Sequence, residues 1–399
     1  MKILQLTKKF PYPIKDGEVI AIHNLSSSYK ALGAELTLLC MNTPKHYFKI
    51  EDLPADYQVY KSIHAVDVDS SVKPISAFLN LFTSESYHIS RFDSPAYHEK
   101  LTNILQKETF DIIQLETLFL TPYINTIRKY SKAKIVLRAH NIEHEIWERI
   151  TKNTIFAPKR WYLKLLSRRL AIYEKEQLNN CDLLLPITQR DLNFARQFGF
   201  NKKGLVTPIG LDAADYQVDN SSFQKQLSLS FIGSLDWMPN VEGLNWFLDK
   251  IWTTAKEKHP TISLHLAGRN TPDSLYNLES DQLKVLGEIP DAKAFINAHS
   301  LMLVPLLSGS GMRVKILEGM ALGKVVLSTT VGLEGIIGKH KEEFLVADTP
   351  EEFMAALDYC YKNPEAMKRI GEAARKVILE EYDNGAIAGR VLEAFGDME

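Results

Sequence analysis

Short runs of apolar residues alternate with longer amphipathic stretches along the first half of the chain. The runs are Ile3–Thr7, Leu36–Met41, Ile112–Leu115, Ile135–Ala139, Leu183–Ile187 and Leu205–Ile209. Segments with helical periodicity lie between most of them, among them Val19–Leu32, Thr121–Tyr130 and Trp161–Leu178. A strand that is apolar at nearly every position has no face to give to water, so it belongs inside a parallel sheet covered by helices on both sides. The pattern then begins again. Strands are expected at Ser228–Gly233, Ile262–Ala267, Leu283–Gly287, Met302–Leu306, Val325–Thr329 and Phe344–Ala347. Helices are expected at Val241–Ile251, Ala292–Ala298, Met312–Leu322 and Glu351–Tyr361, with Pro364–Glu381 and Gly385–Phe395 after them. The stretch 66–91 is less regular and predicts no definite element.

Between the two series stand Pro208-Ile209-Gly210-Leu211-Asp212 and the polar segment Asp215–Gln226, which read as a linker. A chain of 399 residues is also too long for one ordinary domain of about 150 residues. We therefore expect one Rossmann-like domain over residues 1–207, a second over 208–380, and a terminal helix over 381–399. Two doubly wound α/β domains in tandem would face each other across a central cleft at the carboxyl ends of their strands, where ligands bind. Several chemistries use that architecture, so function has to be read from particular residues.

Composition removes several classes. Lys+Arg 47 against Asp+Glu 49 leaves a net charge of −2, without the basic surplus that nucleic-acid binding needs. A hydrophobic share of 45% and a charged share of 24% are those of ordinary globular domains, not of disordered or fibrous chains. Cys40, Cys181 and Cys360 show no paired spacing, which fits neither a disulfide framework nor a zinc cluster and points to a reducing compartment. The opening residues lack the apolar core of a secretory signal. No apolar run approaches the roughly 18–20 residues of a membrane span. The expectation is a cytoplasmic protein.

The most informative segment is Ser308-Gly309-Ser310-Gly311-Met312-Arg313-Val314-Lys315-Ile316-Leu317-Glu318. It follows an expected strand and opens an expected helix. Glycines at such a turn let a ligand approach the backbone closely, and the amides of a first helical turn favour an anion. Gly311, Lys315 and Glu318 are spaced to share one helical face, while Val314, Leu317 and Ala321 form an apolar one. Amides, then an ammonium, then a carboxylate suit a nucleoside diphosphate: donors for the phosphates and an acceptor for ribose hydroxyls. Arg313, in the same first turn, could clamp a phosphate bidentately. A solvated helix start with scattered charges is the plain alternative. The segment is neither a Walker loop, since no Gly-Lys-Ser/Thr closes it, nor a GxGxxG fingerprint.

With Glu318-Gly319-Met320-Ala321 and Gly323-Lys324-Val325-Val326, this segment resembles the donor-binding region of family-4 glycosyltransferases. It is most similar to the group 1 subgroup whose motif reads GSGxRxKxLE. Phe231-Ile232-Gly233-Ser234-Leu235-Asp236-Trp237-Met238-Pro239-Asn240, His265-Leu266-Ala267-Gly268-Arg269, Leu286-Gly287-Glu288-Ile289-Pro290-Asp291 and His140-Asn141-Ile142-Glu143 agree with it in family order. The resemblance implies the GT-B fold, a UDP- or GDP-sugar donor held mainly by the second domain, and a hydroxyl acceptor, sugar or lipid-linked. It further implies hexosyl transfer with retention, no metal and no cofactor, in surface polysaccharide or glycoconjugate biosynthesis. It also implies that the first domain is the acceptor side and that a last helix crosses back to it. Two departures stand out. Ser310 occupies the place of a family glutamate, and Gly233-Ser234-Leu235-Asp236 replaces the usual Gly-Arg and Lys-Gly phosphate pair. Arg313 and Lys315 are then the candidates to supply the missing cations.

The resemblance assigns His140 to the donor sugar, beside Asn141 and Glu143, although Asn141 is also a good helix cap and Glu143 suits any first turn. Gly17, in Lys15-Asp16-Gly17-Glu18, stands where the family approaches the diphosphate, and a tight turn explains it nearly as well. Asp236 and Trp237 read either as helix capping or as a ring for a sugar or base. Glu334 and Gly335 could present amides to the nucleotide or form a plain loop. Residues 157–175 carry basic and aromatic side chains that could touch the inner face of a membrane, the alternative being a core helix with a solvated basic face. Two other functions use similar architectures: a nucleotide-sugar epimerase, and a non-catalytic two-domain sugar-binding protein, which would need an export signal.

Overall fold

The computed structural model describes residues 1–14, 17–309 and 312–398. The chain divides into two compact units, Met1–Gly210 together with Ile387–Glu399, and Leu211–Ala386.

The first unit is built on a parallel sheet. Its strands are β1 (Lys2–Thr7), β2 (Glu35–Asn42), β3 (Ser62–Asp67), β4 (Ile112–Leu115), β5 (Lys134–Ala139), β6 (Leu183–Pro186) and β7 (Lys203–Gly204). They run in the order β3-β2-β1-β4-β5-β6-β7. The apolar runs fill both faces. Leu4, Leu6, Ile113, Leu115, Ile135 and Leu137 enter one core, and Ile3, Leu36, Leu38, Ile112, Val136 and Leu183 enter the other. The second core is closed by Leu25 and Tyr29 of helix α1 (Gly17–Ala31) and by Ile387, Val391 and Phe395 of the C-terminal helix Asn384–Gly396. β3 is the element that the periodicity does not announce. It is an edge strand whose first five residues are half-buried, so its sequence lacks the mostly apolar run of the inner strands. The expected strand Leu205–Ile209 is the extension of β7, carried on by Leu205 and Thr207 N–H bonds to the Leu184 and Pro186 carbonyls.

Three more helices of this unit matter below: α2 (Pro74–Asn80), α3 (Glu143–Lys152) and α4 (Ala157–Leu178). In the second unit, β8 (Ser228–Ile232), β9 (Ser263–Ala267), β10 (Leu283–Gly287), β11 (Leu301–Val304), β12 (Val325–Ser328) and β13 (Leu345–Val346) lie in the order β10-β9-β8-β11-β12-β13, all parallel. Helix α5 (Met238–Phe247) follows β8, and α6 (Val314–Ala321) follows β11. Ile316, Leu317 and Met320 of α6 pack on Met302, Val304 and Val326 of the sheet. Burying such a side chain stabilises by roughly 1.5–3 kcal/mol relative to exposure, which fixes the rotation of α6 about its axis.

Candidate functional site

In an open α/β sheet the ligand crevice forms where the strand order reverses. That point in the second unit is between β8 and β11, and the loops leaving these strands carry the charged residues. A Cβ at Gly268 would stand 1.9 Å from the Gly233 carbonyl oxygen, so only glycine lets the loop after β9 lie against the loop after β8. The Gly233 and Leu235 N–H groups donate to the Ala267 and Arg269 carbonyls at 3.1 and 2.9 Å. Asn240, buried in α5, donates Nδ2 to the Ser234 carbonyl at 2.9 Å. Its Oδ1 accepts from Lys315 Nζ at 2.8 Å, and the same ammonium reaches the Ile232 carbonyl at 3.3 Å.

Lys315 is therefore held by neutral oxygens and takes part in no ion pair among the described residues. Burial, helped by the neighbouring Arg313 guanidinium, lowers its pKa to about 8. Arg313 precedes α6 with an extended backbone and is itself buried. Its guanidinium lies 5.9 Å from the Trp237 ring centroid. Burial lowers its pKa, against the opposing charge of Glu334. One turn beyond Lys315, Glu318 accepts from the Tyr216 hydroxyl at 3.2 Å. Burial raises the Glu318 pKa, with that hydrogen bond and the charge of Lys293 acting the other way. A buried ammonium without a carboxylate is poorly compensated. A diphosphate would supply the missing charge.

The first unit holds a buried polar network beside its own reversal point, between β1 and β4. Glu116, fully buried after β4, accepts from the side-chain amides of Gln5 and Gln114 and from His140 Nε2 at 2.9 Å. Arg138 Nη1 stands 3.5 Å from the same carboxylate and donates to the Ala21 carbonyl at 2.9 Å. Ser26 and Tyr60 close the network on Gln5 Oε1 at 2.8 and 2.7 Å. Burial alone would raise the Glu116 pKa, but Arg138, His140 and Gln5 outweigh it and hold the carboxyl at about 2. An ionised Glu116 accepts from the Nε2–H of His140, which orients the ring and turns Nδ1 away from the carboxylate.

Residues 226–363 match the family described as "Glycosyl transferases group 1". The second unit is a group 1 glycosyltransferase domain. A relative from Klebsiella pneumoniae, named "Uncharacterized 44.6 kDa protein in cps region", is 23% identical over 307 residues, 74% of this chain and 76% of its own. Among solved structures, HepE of Anabaena in complex with UDP is 14% identical with a TM-score of 0.65, covering all of both chains. Sucrose-phosphate synthase of Thermosynechococcus elongatus gives the same identity and score, over 100% of this chain and 99% of its own. The likeness establishes the fold: two parallel sheets flanked by helices, as in GT-B glycosyltransferases.

Set against the expectations, the glycosyltransferase domain brings Gly233, Ser234, Trp237, Arg313, Lys315 and Glu318 to one corner. Ser310 and Gly311 lie outside the described residues, as do Lys15 and Asp16. The helix expected from Met312 begins at Val314. Arg313 is thus the residue before the helix and not part of its first turn, and Gly309 stands in the loop at a φ of 123°, a conformation that favours glycine. A Cβ there would meet Arg313 Nη2 at 2.8 Å. Asp236 is occupied by the Ser234 hydroxyl at 2.5 Å, which lowers its pKa. Trp237 is partly exposed and makes no side-chain cap. Glu334 and Gly335 are exposed, and the Gly335 carbonyl accepts from the Tyr382 hydroxyl at 3.4 Å.

In the first unit, Asn141 is exposed and is not the helix cap; Ile142 holds that position. The capping acceptor is the buried Glu174 of α4, which takes the Glu143 and His144 N–H groups at 3.0 and 3.1 Å and the His144 ring at 2.7 Å. Glu143 is buried rather than presented at an open helix start, and burial pushes its pKa up to about 7. A Cβ at Gly17 would meet nothing within 4 Å, so internal packing does not demand glycine there. Among the described residues no three His, Cys, Asp or Glu side chains gather to hold a metal ion. No described helix is long and apolar enough to cross a membrane.

Proposed function

We propose that this glycosyltransferase moves a hexosyl group from a UDP- or GDP-sugar to a hydroxyl acceptor with retention, without a metal or other cofactor, in the making of a surface polysaccharide or glycoconjugate. The observation that carries this reading is the buried Lys315 ammonium, bonded among the described residues to neutral oxygens alone, next to Arg313 and one turn from Glu318. The UDP complex of HepE and the cps-region name of the Klebsiella relative support the donor and the product class. The departing diphosphate gathers charge as the anomeric C–O bond breaks, and preorganised cations stabilise such charge most effectively in a dry site. The acceptor oxygen bonds to the anomeric carbon on the face that the phosphate leaves, and its proton passes to the departing phosphate oxygen. Glu318 accepts from the ribose. His140, its ring fixed by Glu116, offers Nδ1 to a sugar hydroxyl.

Nucleotide titration and product analysis test this together. Lys315→Ala and Glu318→Ala should each weaken UDP or GDP binding by about tenfold or more while the thermal transition stays in place. Wild-type protein given the matching nucleotide-sugar and a hydroxyl acceptor should yield a glycoside with the donor's anomeric configuration. Nucleotide affinity unchanged in both variants would sink the site. An isomerised free sugar nucleotide would make the protein an epimerase.

We also place the first unit at the inner face of an anionic membrane. Ile75, Phe78, Leu79 and Phe82 recur at helical spacing and are 59–78% exposed, while Asn80 is turned inward to Thr83 and Arg169. This segment buries a polar side and shows an apolar one, the reverse of a helix on a soluble core. The start of α4 lies beside it, through Tyr162 and Arg169 hydrogen bonds to the Ala77, Asn80 and Leu81 carbonyls. That start adds exposed Trp161 and the exposed cations Lys159, Arg160, Lys164 and Arg168. Apolar rings among cations complement anionic headgroups over acyl chains.

A further inference from the structure

We propose that the first unit carries an anion site of its own, which takes the phosphate or diphosphate group of the acceptor. The proposal rests on reading this unit as the acceptor side. β1, β2 and β3 are neighbours, and the chain leaving their carboxyl ends encloses a cavity of about 420 Å³, within the roughly 300–1,000 Å³ of small-ligand pockets. Carboxyl ends of parallel strands are where such sheets receive ligands. Lys8, Lys9, Lys45, His46, Arg91 and Phe92 line the cavity with hydroxyl side chains between them, and no carboxylate among the described residues lines it.

Four of these side chains are basic, three lysines and an arginine. Lys8 and Lys9 each hold an ammonium 3.3 Å from Glu18 Oε2. Lys45 joins no ion pair among the described residues. Arg91 donates from Nη1 to the Ser70 carbonyl at 3.1 Å and lies 5.6 and 5.7 Å from the Tyr87 and Phe92 ring centroids. Its Nε is buried and has no hydrogen-bond partner among the described residues. A buried donor left without an acceptor is costly, and a phosphate oxygen satisfies it with a charge-assisted bond. Ammonium groups, a guanidinium and hydroxyls converging on one small cavity match a group with several acceptor oxygens and more than one negative charge. Ser70 and Ser71 lead directly into Val72 and the apolar α2 segment. An acceptor carried on a lipid would therefore present its phosphate beside the face that meets the membrane.

Calorimetric titration of the full chain, first saturated with UDP to occupy the Arg313–Lys315 corner, tests the proposal. The probes are inorganic pyrophosphate, geranyl diphosphate and geraniol. One further equivalent of each diphosphate should bind, more weakly as salt rises, and geraniol should not. Lys45→Glu and Arg91→Gln should each lower that affinity by about tenfold or more and leave UDP affinity unchanged. No binding beyond UDP, or binding that survives both variants, overturns the site. Pyrophosphate held as tightly as geranyl diphosphate makes it a site for a free anion and overturns the acceptor assignment. Should UDP itself fail to bind, the donor reading falls, and the same probes and variants without UDP still decide this one.

Discussion

Lys315 has to be an ammonium to meet a diphosphate, yet its surroundings favour the neutral amine. With its pKa at about 8, it is charged at pH 7 and discharges as the pH rises through 8. Ligand binds the charged form, so UDP affinity should be level up to about pH 7 and then fall, approaching about tenfold per pH unit above 8. Lys315→Arg should move that fall out of the accessible range, because a guanidinium stays protonated. Titrations between about pH 6.5 and 9.5 check this, and a level wild-type profile would put the phosphates elsewhere. Arg313, Lys315 and Glu318 were legible as candidates in the sequence because they directly follow a glycine-bearing turn behind an apolar run. Asn240 was not. It anchors Lys315 from a position far away in the sequence, and a buried amide gains that meaning only once β8 and β11 lie side by side. Glu116 offered a signal that spacing alone did not raise: a carboxylate directly behind a buried, mostly apolar strand, where an unpaired charge could not stay.

At the scale of elements, the inner strands follow from their apolar runs, and the exceptions share a cause. β3 and α2 fall in or beside the stretch that periodicity left undefined. An edge strand packs incompletely, and α2 turns its apolar side outward, so neither obeys the core-facing rule on which the reading depends. The outward face of α2 makes its own prediction. Phe78→Glu with Phe82→Glu should abolish sedimentation with phosphatidylglycerol vesicles and leave folding stability within about 0.5 kcal/mol, since exposed positions contribute little to the fold. Wild-type protein should also leave the vesicles as salt rises, through loss of the contacts from Lys159, Arg160, Lys164 and Arg168. Co-sedimentation that persists in the double variant would remove α2 from the docking face.

At the scale of the molecule, the first unit is discontinuous: it runs to Gly210 and resumes at Ile387. The returning helix contributes Ile387, Val391 and Phe395 to the core, with the Phe395 ring centroid 6.0 Å from that of Tyr29. Deleting residues 384–399 should lower the melting transition of the first unit sharply, as each lost apolar side chain is worth roughly 1.5–3 kcal/mol. The stabilisation that UDP confers on the second unit should remain. Scanning calorimetry with and without UDP separates the two, and an unshifted first transition would show the helix to be dispensable.

That discontinuity also orders events at the ribosome. Domains commonly fold in the order in which they are made, at about 5–20 residues per second. Here the unit begun first cannot complete its core until its last helix has been translated, after the whole of the second unit, a wait of roughly 10–35 s. The later-made unit is thus free to fold before the earlier one is finished. A message cut short, or a ribosome stalled near its end, would leave Tyr29 and its neighbours uncovered, an apolar groove of the kind that chaperones and proteases recognise.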